Sequence, residues 1–185
     1  GKCLVTIKVD QMRLKNMLAG KAISAQLSSV NLPSPLAVVC NDAGASNLII
    51  SWLRQCPNSD VRACVSGPAV NIWKSAFDKT RILSLDEAMD GATGLISGTS
   101  YDCQQEHKAR CLAKKMGIHS IGVVDHWVNY SRRFLYMGKR ILPNEIWVVD
   151  KEALKLAKAS FKSAQIELKP NPYLDDIVSE IRSID

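Results

Sequence analysis

Short, uninterrupted apolar runs alternate along most of this chain with stretches of helical spacing, and that alternation constrains the architecture more than any other feature. Leu36–Asn41 (LAVVCN) has strand length and is followed by a helix over Asn47–Gln55. Val61–Ser66 (VRACVS) runs into Gly67-Pro68 and a helix over Ala69–Phe77. A short strand at Ile82–Leu85 precedes a brief helix at Asp86–Asp90, and Gly94–Gly98 (GLISG) precedes the best-defined helix, Tyr101–Met116. There Ala109, Leu112, Ala113 and Met116 recur at helical spacing, and Gly117 supplies the stop. Ser120–Asp125 (SIGVVD) and Glu145–Asp150 (EIWVVD) read as further strands, Glu152–Phe161 as a helix and Gln165–Lys169 as a last strand. Strands that are apolar throughout, rather than at alternate positions, belong to sheets covered on both faces, as parallel sheets are. Strands alternating with helices build right-handed βαβ units. The predicted fold is therefore α/β: an open, doubly wound, mostly parallel, Rossmann-like sheet with helices on both faces.

The ends read differently. Residues 1–35 hold a predicted strand (Leu4–Val9), a predicted helix (Gln11–Leu27) and a linker (Ser28–Pro35), either an added first β-α unit or an appendage. The α/β domain spans 36–176, and 177–185 is a tail or short amphipathic helix. At 185 residues, 46% hydrophobic and 23% charged, the chain is large enough for a normal core and is not of disordered composition. No apolar run approaches the ~18 residues of a membrane helix. Gly1–Asp10 lacks the uninterrupted hydrophobic run and small-residue site of a secretory leader. None of the cysteines forms a C-x₂₋₄-C pair, and Cys40 and Cys64 lie within apolar runs. Free thiols and a cytoplasmic location are the expectation, with no structural metal.

The charge is uneven. Of 24 Lys/Arg and 18 Asp/Glu, a net +6, the span from Glu106 to Lys169 holds 13 basic and 6 acidic residues, a net +7. A basic half of this kind suits nucleic acid, an anionic membrane surface or a phosphorylated small molecule. Interleaved acids and helical spacing make most of these lysines a solvated face and argue against nucleic acid. Arg132, Arg133, Lys139 and Arg140 form the tighter cluster.

In open parallel sheets ligands bind outside the carboxyl ends of the strands, where helix N-termini offer free N–H groups. The loops expected at that rim carry polar or small groups: Asn41-Asp42-Ala43-Gly44-Ala45-Ser46, Ser66-Gly67-Pro68, Gly98-Thr99-Ser100, Asp125 to Tyr130, and Asp150-Lys151. The loops at the other end (Cys56–Asp60, Gly91–Thr93, Lys115–His119) read as plain connectors. NDAGAS is neither G-x-G-x-x-G nor a P-loop, so no nucleotide cofactor is expected in those modes. Gly44 either admits a ligand to the backbone or makes a tight turn with Asp42 or Ser46 as cap. Ser100 or Asp102 is a plausible N-cap of the next helix, and Glu106, one turn in, either faces the cleft or complements the helix dipole.

DHWVNYSRRF is the sharpest segment. Asp125 and His126 sit at a strand end, where a carboxylate beside an imidazole would make a general base, although neighbours on a strand point to opposite faces. Trp127 and Tyr130 offer flat faces to a sugar or base, Asn129 a polar side chain, and Arg132 and Arg133 forked donors to phosphate. His107 and His119 read as structural, and no G-x-S-x-G elbow supports a serine hydrolase.

NDAGASNLI, SGPA, GTS before a Glu-bearing helix, DHWVNYSRRF, LPNEIWVVD and NPYLDD, taken in this order, resemble the N-terminal half of glycosyltransferase-like proteins of the two-Rossmann-domain (GT-B) architecture. More narrowly the chain is similar to bacterial proteins linked to surface-polysaccharide synthesis, and more distantly to the non-hydrolysing UDP-N-acetylglucosamine 2-epimerases. The resemblance covers about Leu36–Asp176. It implies that Asn41, Asp42, Gly44, Ser66, Gly67, Thr99, Ser100, Asp125, His126 and Asn129 line an interdomain cleft facing an acceptor or sugar. It also implies that the nucleotide-sugar donor is held mostly by a second domain after the N-P motif, whereas this sequence ends soon after it; it is expected either to be part of a longer chain or to find its other half in another chain, as a partner domain or homo-oligomer. The implied function is a sugar- or nucleotide-sugar-binding domain of a transferase or epimerase. The alternative is a non-catalytic binding or regulatory domain for a small anionic ligand or a protein partner.

Overall fold

Asp42 accepts the backbone N–H of Ala45 at 2.8 Å and thereby starts the first helix four residues earlier than the apolar spacing predicts. The same economy of caps organises the rest of the computed structural model, which describes residues 30–56 and 60–182. The strands are β1 (Leu36–Cys40), β2 (Val61–Val65), β3 (Gly94–Ser97), β4 (His119–Val123), β5 (Leu135–Tyr136), β6 (Lys139–Arg140), β7 (Glu145–Val148) and β8 (Gln165–Leu168). The helices are α1 (Ala43–Arg54), α2 (Ala69–Ala76), α3 (Leu85–Met89), α4 (Gln104–Met116), α5 (Tyr130–Arg133), α6 (Lys151–Ser160) and α7 (Pro172–Arg182). Ser84 and Glu87 form a capping box on α3, Gly117 closes α4 at φ +69°, and Asp150 caps α6 through the N–H of Ala153.

Six strands form one sheet in the order β2-β1-β3-β4-β7-β8, every pair parallel. The expected third strand, Ile82–Leu85, is reduced to a single parallel bridge between Ile82 and Ala63, because Ser84 already begins the cap of α3. From β1 the chain winds outward through β2 to Ile82, then returns to the other side of β1 with β3 and continues outward. The direction of winding therefore reverses between β1 and β3.

Both faces are covered, as continuous apolar strands require. Leu36, Val38 and Cys40 face Leu48, Ile49 and Trp52 of α1 and Trp73 of α2, while Ala37 and Val39 pack against Met89 of α3 and Ala109 and Ala113 of α4. Trp147 belongs to the first face, its ring 5.2 Å from that of Trp52, whereas Ile146 and Val148 meet Ala153 and Ala157 of α6 on the second. Tyr173 of α7 crosses back onto the first face. Burying each large aliphatic side chain stabilises the fold by about 1.5–3 kcal/mol.

Other differences from expectation are local. Helix α4 begins at Gln104 with Cys103 at the cap position, so neither Ser100 nor Asp102 caps it. The strand expected at Ser120–Asp125 ends at Val123. The last helix is longer than the expected Ile177–Ile184, and it runs through the proposed boundary at 176. Strands β5 and β6 form an unforeseen hairpin turning at Met137-Gly138, both at positive φ. The predicted strand at Leu4–Val9 and helix at Gln11–Leu27 lie outside the described residues. Among the described residues no helix is long and apolar enough to cross a membrane.

Candidate functional site at the strand reversal

Two strands that lead their helices to opposite faces leave a gap at their carboxyl ends, and here that place is the β1/β3 junction. The residues that follow β1 and β3 are cross-linked there. Glu106 in the first turn of α4 accepts the backbone N–H of Asn41 at 2.9 Å and of Ser100 at 2.7 Å. Ser100 donates its hydroxyl to Asp42 Oδ2 at 2.7 Å, and Ser66 donates to Asn41 Oδ1 at 3.0 Å. Gly67, at φ +53°, lies so close to Asn41 Oδ1 that a side chain there would collide with it.

The end of β4 joins the same cluster. Arg133 donates from Nη1 to Asp125 Oδ1 at 3.1 Å and to Thr99 Oγ1 at 3.0 Å, from Nε to the carbonyl of Val128, and from Nη2 to that of His126. Thr99 in turn donates its hydroxyl to the Val123 carbonyl at 2.7 Å. A Cβ on Gly44 would overlap Asp125 Oδ2, so the missing side chain at the first turn of α1 is what admits that carboxylate.

A buried layer that no motif marks lies beneath. Arg110 is 1% exposed and donates to Ser97 Oγ, to the Gly98 carbonyl and to His107 Nδ1. Since arginine only donates, His107 carries its proton on Nε2, and its ring stacks on Tyr136 at 5.2 Å. The spacing of Glu106 and Arg110, four apart on one helix, is the signal that points to them.

Burial pushes the Glu106 carboxyl up to about 7, with Arg110 opposing and Asp42 adding to the rise. Burial also raises Asp125, reinforced by Asp42 and resisted by Arg133. The Cys40 thiol is driven well above its usual value by burial and the charges of Glu106 and Asp42. Arg110 falls to about 10 through burial, and His107 falls through burial and the Arg110 charge. Atoms of Cys40, Asp42 and Glu106 lie within 4.8 Å of one another. Both Glu106 oxygens and both Asp42 oxygens already accept hydrogen bonds, and the thiol stays protonated, so a cation would have to displace the donors that hold the loops.

Asn41, Asp42, Gly44, Ser66, Gly67, Thr99, Ser100, Glu106, Asp125 and Arg133 are thus brought together. The rest of DHWVNYSRRF divides. Asp125 pairs with Arg133, while His126, exposed at the rim, accepts the N–H of Trp127 on Nδ1. Trp127 is 57% exposed and donates its indole N–H to Asp150. Asn129 is exposed at φ +61°, and Arg132 lies over the ring of Tyr101 at 4.6 Å. Tyr130 turns into the core, stacking on Phe161 and donating its hydroxyl to the Ala153 carbonyl, so it presents no flat face outward. Every nitrogen of Arg133 is bonded within the protein, so its fork is not turned toward a phosphate. Comparison with protein-family models, curated proteins and solved structures finds no match to this chain.

Proposed function

We propose that this chain is a sugar- or nucleotide-sugar-binding domain of a glycosyltransferase- or epimerase-like protein, of the kind used in bacterial surface-polysaccharide synthesis, working in the cytoplasm. The observation that carries the reading is the convergence of three carboxylates, Asp42, Glu106 and Asp125, with the hydroxyls of Thr99 and Ser100 at the point where the sheet reverses. Of these, Asp42 and Asp125 are only partly buried and accept hydrogen bonds from sugar hydroxyls, while the buried Glu106 holds the loops beneath them, and the exposed Trp127 indole gives a sugar ring an apolar face. The neighbouring cations, Arg110 and Arg133, are bonded internally, so the site favours a hydroxyl-rich group over bare phosphate. A nucleoside diphosphate would then be gripped by a partner domain, in keeping with the GT-B-like motifs. In transfer, the acceptor hydroxyl oxygen bonds to the anomeric carbon, its proton passes to Asp125, and the diphosphate leaves with the electrons of the broken bond. The raised Asp125 carboxyl suits that role. His126 stands at the rim beside it.

A second reading is a non-catalytic binding domain, favoured by one observation: Asp125 and His126 do not pair, so no acid–base couple is assembled. Thermal-shift measurements with UDP-, GDP-, CDP- and CMP-sugars test both. Stabilisation by one of them that is lost in Ser100→Ala or Asp125→Asn supports the first reading, and stabilisation without turnover by the full-length protein supports the second. A complete lack of response to sugars and nucleotide sugars overturns the sugar assignment.

A further inference from the structure

Between β4 and β7 the chain covers the sheet with α5 and the β5–β6 hairpin instead of a full helix, and this cover carries an unusual surface. Trp127, Val128, Leu135 and Met137 are 57%, 50%, 46% and 84% exposed. Single exposed apolar side chains are ordinary, but Leu135 and Met137 are carried by one short hairpin, which concentrates apolar exposure around its turn. Residues 127–141 contain no acidic residue and four basic ones. Arg133 is turned inward, which leaves Arg132, Lys139 and Arg140 on the outside. Arg140 also shares the wall of a small cavity with Lys162.

The segment is held in place. Tyr136 stacks on His107 of α4, Phe134 lies against Phe161, and the N–H of Ile141 bonds the Phe134 carbonyl at 2.8 Å. Met137 therefore stands out at the tip of an anchored hairpin, at φ +48° beside Gly138 at φ +74°. We propose that the segment Trp127–Arg140 docks this protein on the surface of an anionic lipid bilayer, with Met137 and Leu135 of the hairpin entering the headgroup region. Arg132, Lys139 and Arg140 would rest on the lipid phosphates. Neither apolar insertion nor a few basic residues holds a protein on a membrane alone, whereas the two together do. Charge complementarity selects the occupant: every exposed charge in this segment is positive, which matches the phosphates of an anionic headgroup layer. The inference does not depend on the sugar reading.

The test is co-sedimentation of the full chain with phosphatidylcholine vesicles, with and without phosphatidylglycerol, at low and high salt. Binding is expected only with phosphatidylglycerol, weakened by salt, and reduced about tenfold or more by Met137→Asp and by Lys139→Glu/Arg140→Glu. These side chains are exposed, so unfolding midpoints stay unchanged; if Met137→Asp lowers its midpoint, Met137→Ser replaces it. No binding to the anionic vesicles, or binding untouched by both variants, overturns the proposal. Loss of a dimer in Met137→Asp without vesicle binding would put a second copy on this surface and overturn it equally.

Discussion

Glu106 accepts the backbone N–H of Asn41 across 65 residues of sequence, so a side chain of α4 closes the end of β1. Its second oxygen takes the N–H of Ser100 after β3. One carboxylate thus clamps both strands that flank the reversal of the sheet. Glu106→Ala strands two N–H groups and should cost about 2–4 kcal/mol in urea unfolding. A loss below about 0.5 kcal/mol would show that other partners hold these loops.

The same clamp makes stability depend on pH. Burial raises the Glu106 carboxyl from 4.5 to about 7, so between those values the folded chain binds a proton more tightly than the unfolded one. Its contribution is fully present below about 4.5, is lost as pH rises toward 7, and is constant beyond, an effect of at most about 3 kcal/mol. Glu106→Gln lacks this slope. The cost of the amide, read by urea unfolding across the range, therefore shrinks as pH rises. A cost that grows with pH would mean that attraction to Arg110 outweighs desolvation.

Gly44→Ala tests the close approach of Asp125. Alanine ordinarily gains up to about 1 kcal/mol over glycine in a helix. Here its methyl displaces the Asp125 carboxylate, and a net loss of about 1–3 kcal/mol is expected. In an Asp125→Ala background, where only the Cβ at 3.2 Å remains close, the loss should shrink, giving a coupling of about 1 kcal/mol or more in the double-mutant cycle. Additive costs would place the strain elsewhere.

Tyr130→Phe separates core from site. Among the described residues the phenol hydroxyl bonds only the Ala153 carbonyl, at 3.3 Å. Its removal should cost about 0.5–1.5 kcal/mol and leave any nucleotide-sugar thermal shift unchanged. A lost shift with unchanged stability would return Tyr130 to the ligand.

The sheet was legible because apolar runs such as Leu36–Cys40 and Glu145–Val148 tolerate burial on both faces, which only a covered sheet provides. The rim residues followed from topology, since strand ends collect in a parallel sheet. Side-chain direction was not legible. Tyr130 and Trp127, three apart in one loop, go to core and solvent because α5 starts between them. Arg132 and Arg133 diverge for the same reason, as consecutive residues of a helical turn point about 100° apart. The hairpin escaped because Met137-Gly138 lacks the Asn-Gly signature, although Gly138 at φ +74° serves the turn.

Arg133 is the remaining joint of the cluster, since its guanidinium reaches Asp125, Thr99 and two carbonyls that no single point charge spans. Arg133→Ala leaves a largely buried carboxylate without its partner and should cost about 3–5 kcal/mol. Arg133→Lys keeps the charge but not the fork, and should recover less than half of that loss. Because the Arg133 charge holds the Asp125 carboxyl down against burial, its removal must raise that carboxyl further. Carboxyl NMR titration of Asp125 in the Arg133→Lys variant reads this directly: the titration moves to higher pH if the fork matters. It stays in place if charge alone suffices, and the variant would then unfold at the same urea concentration as the parent chain.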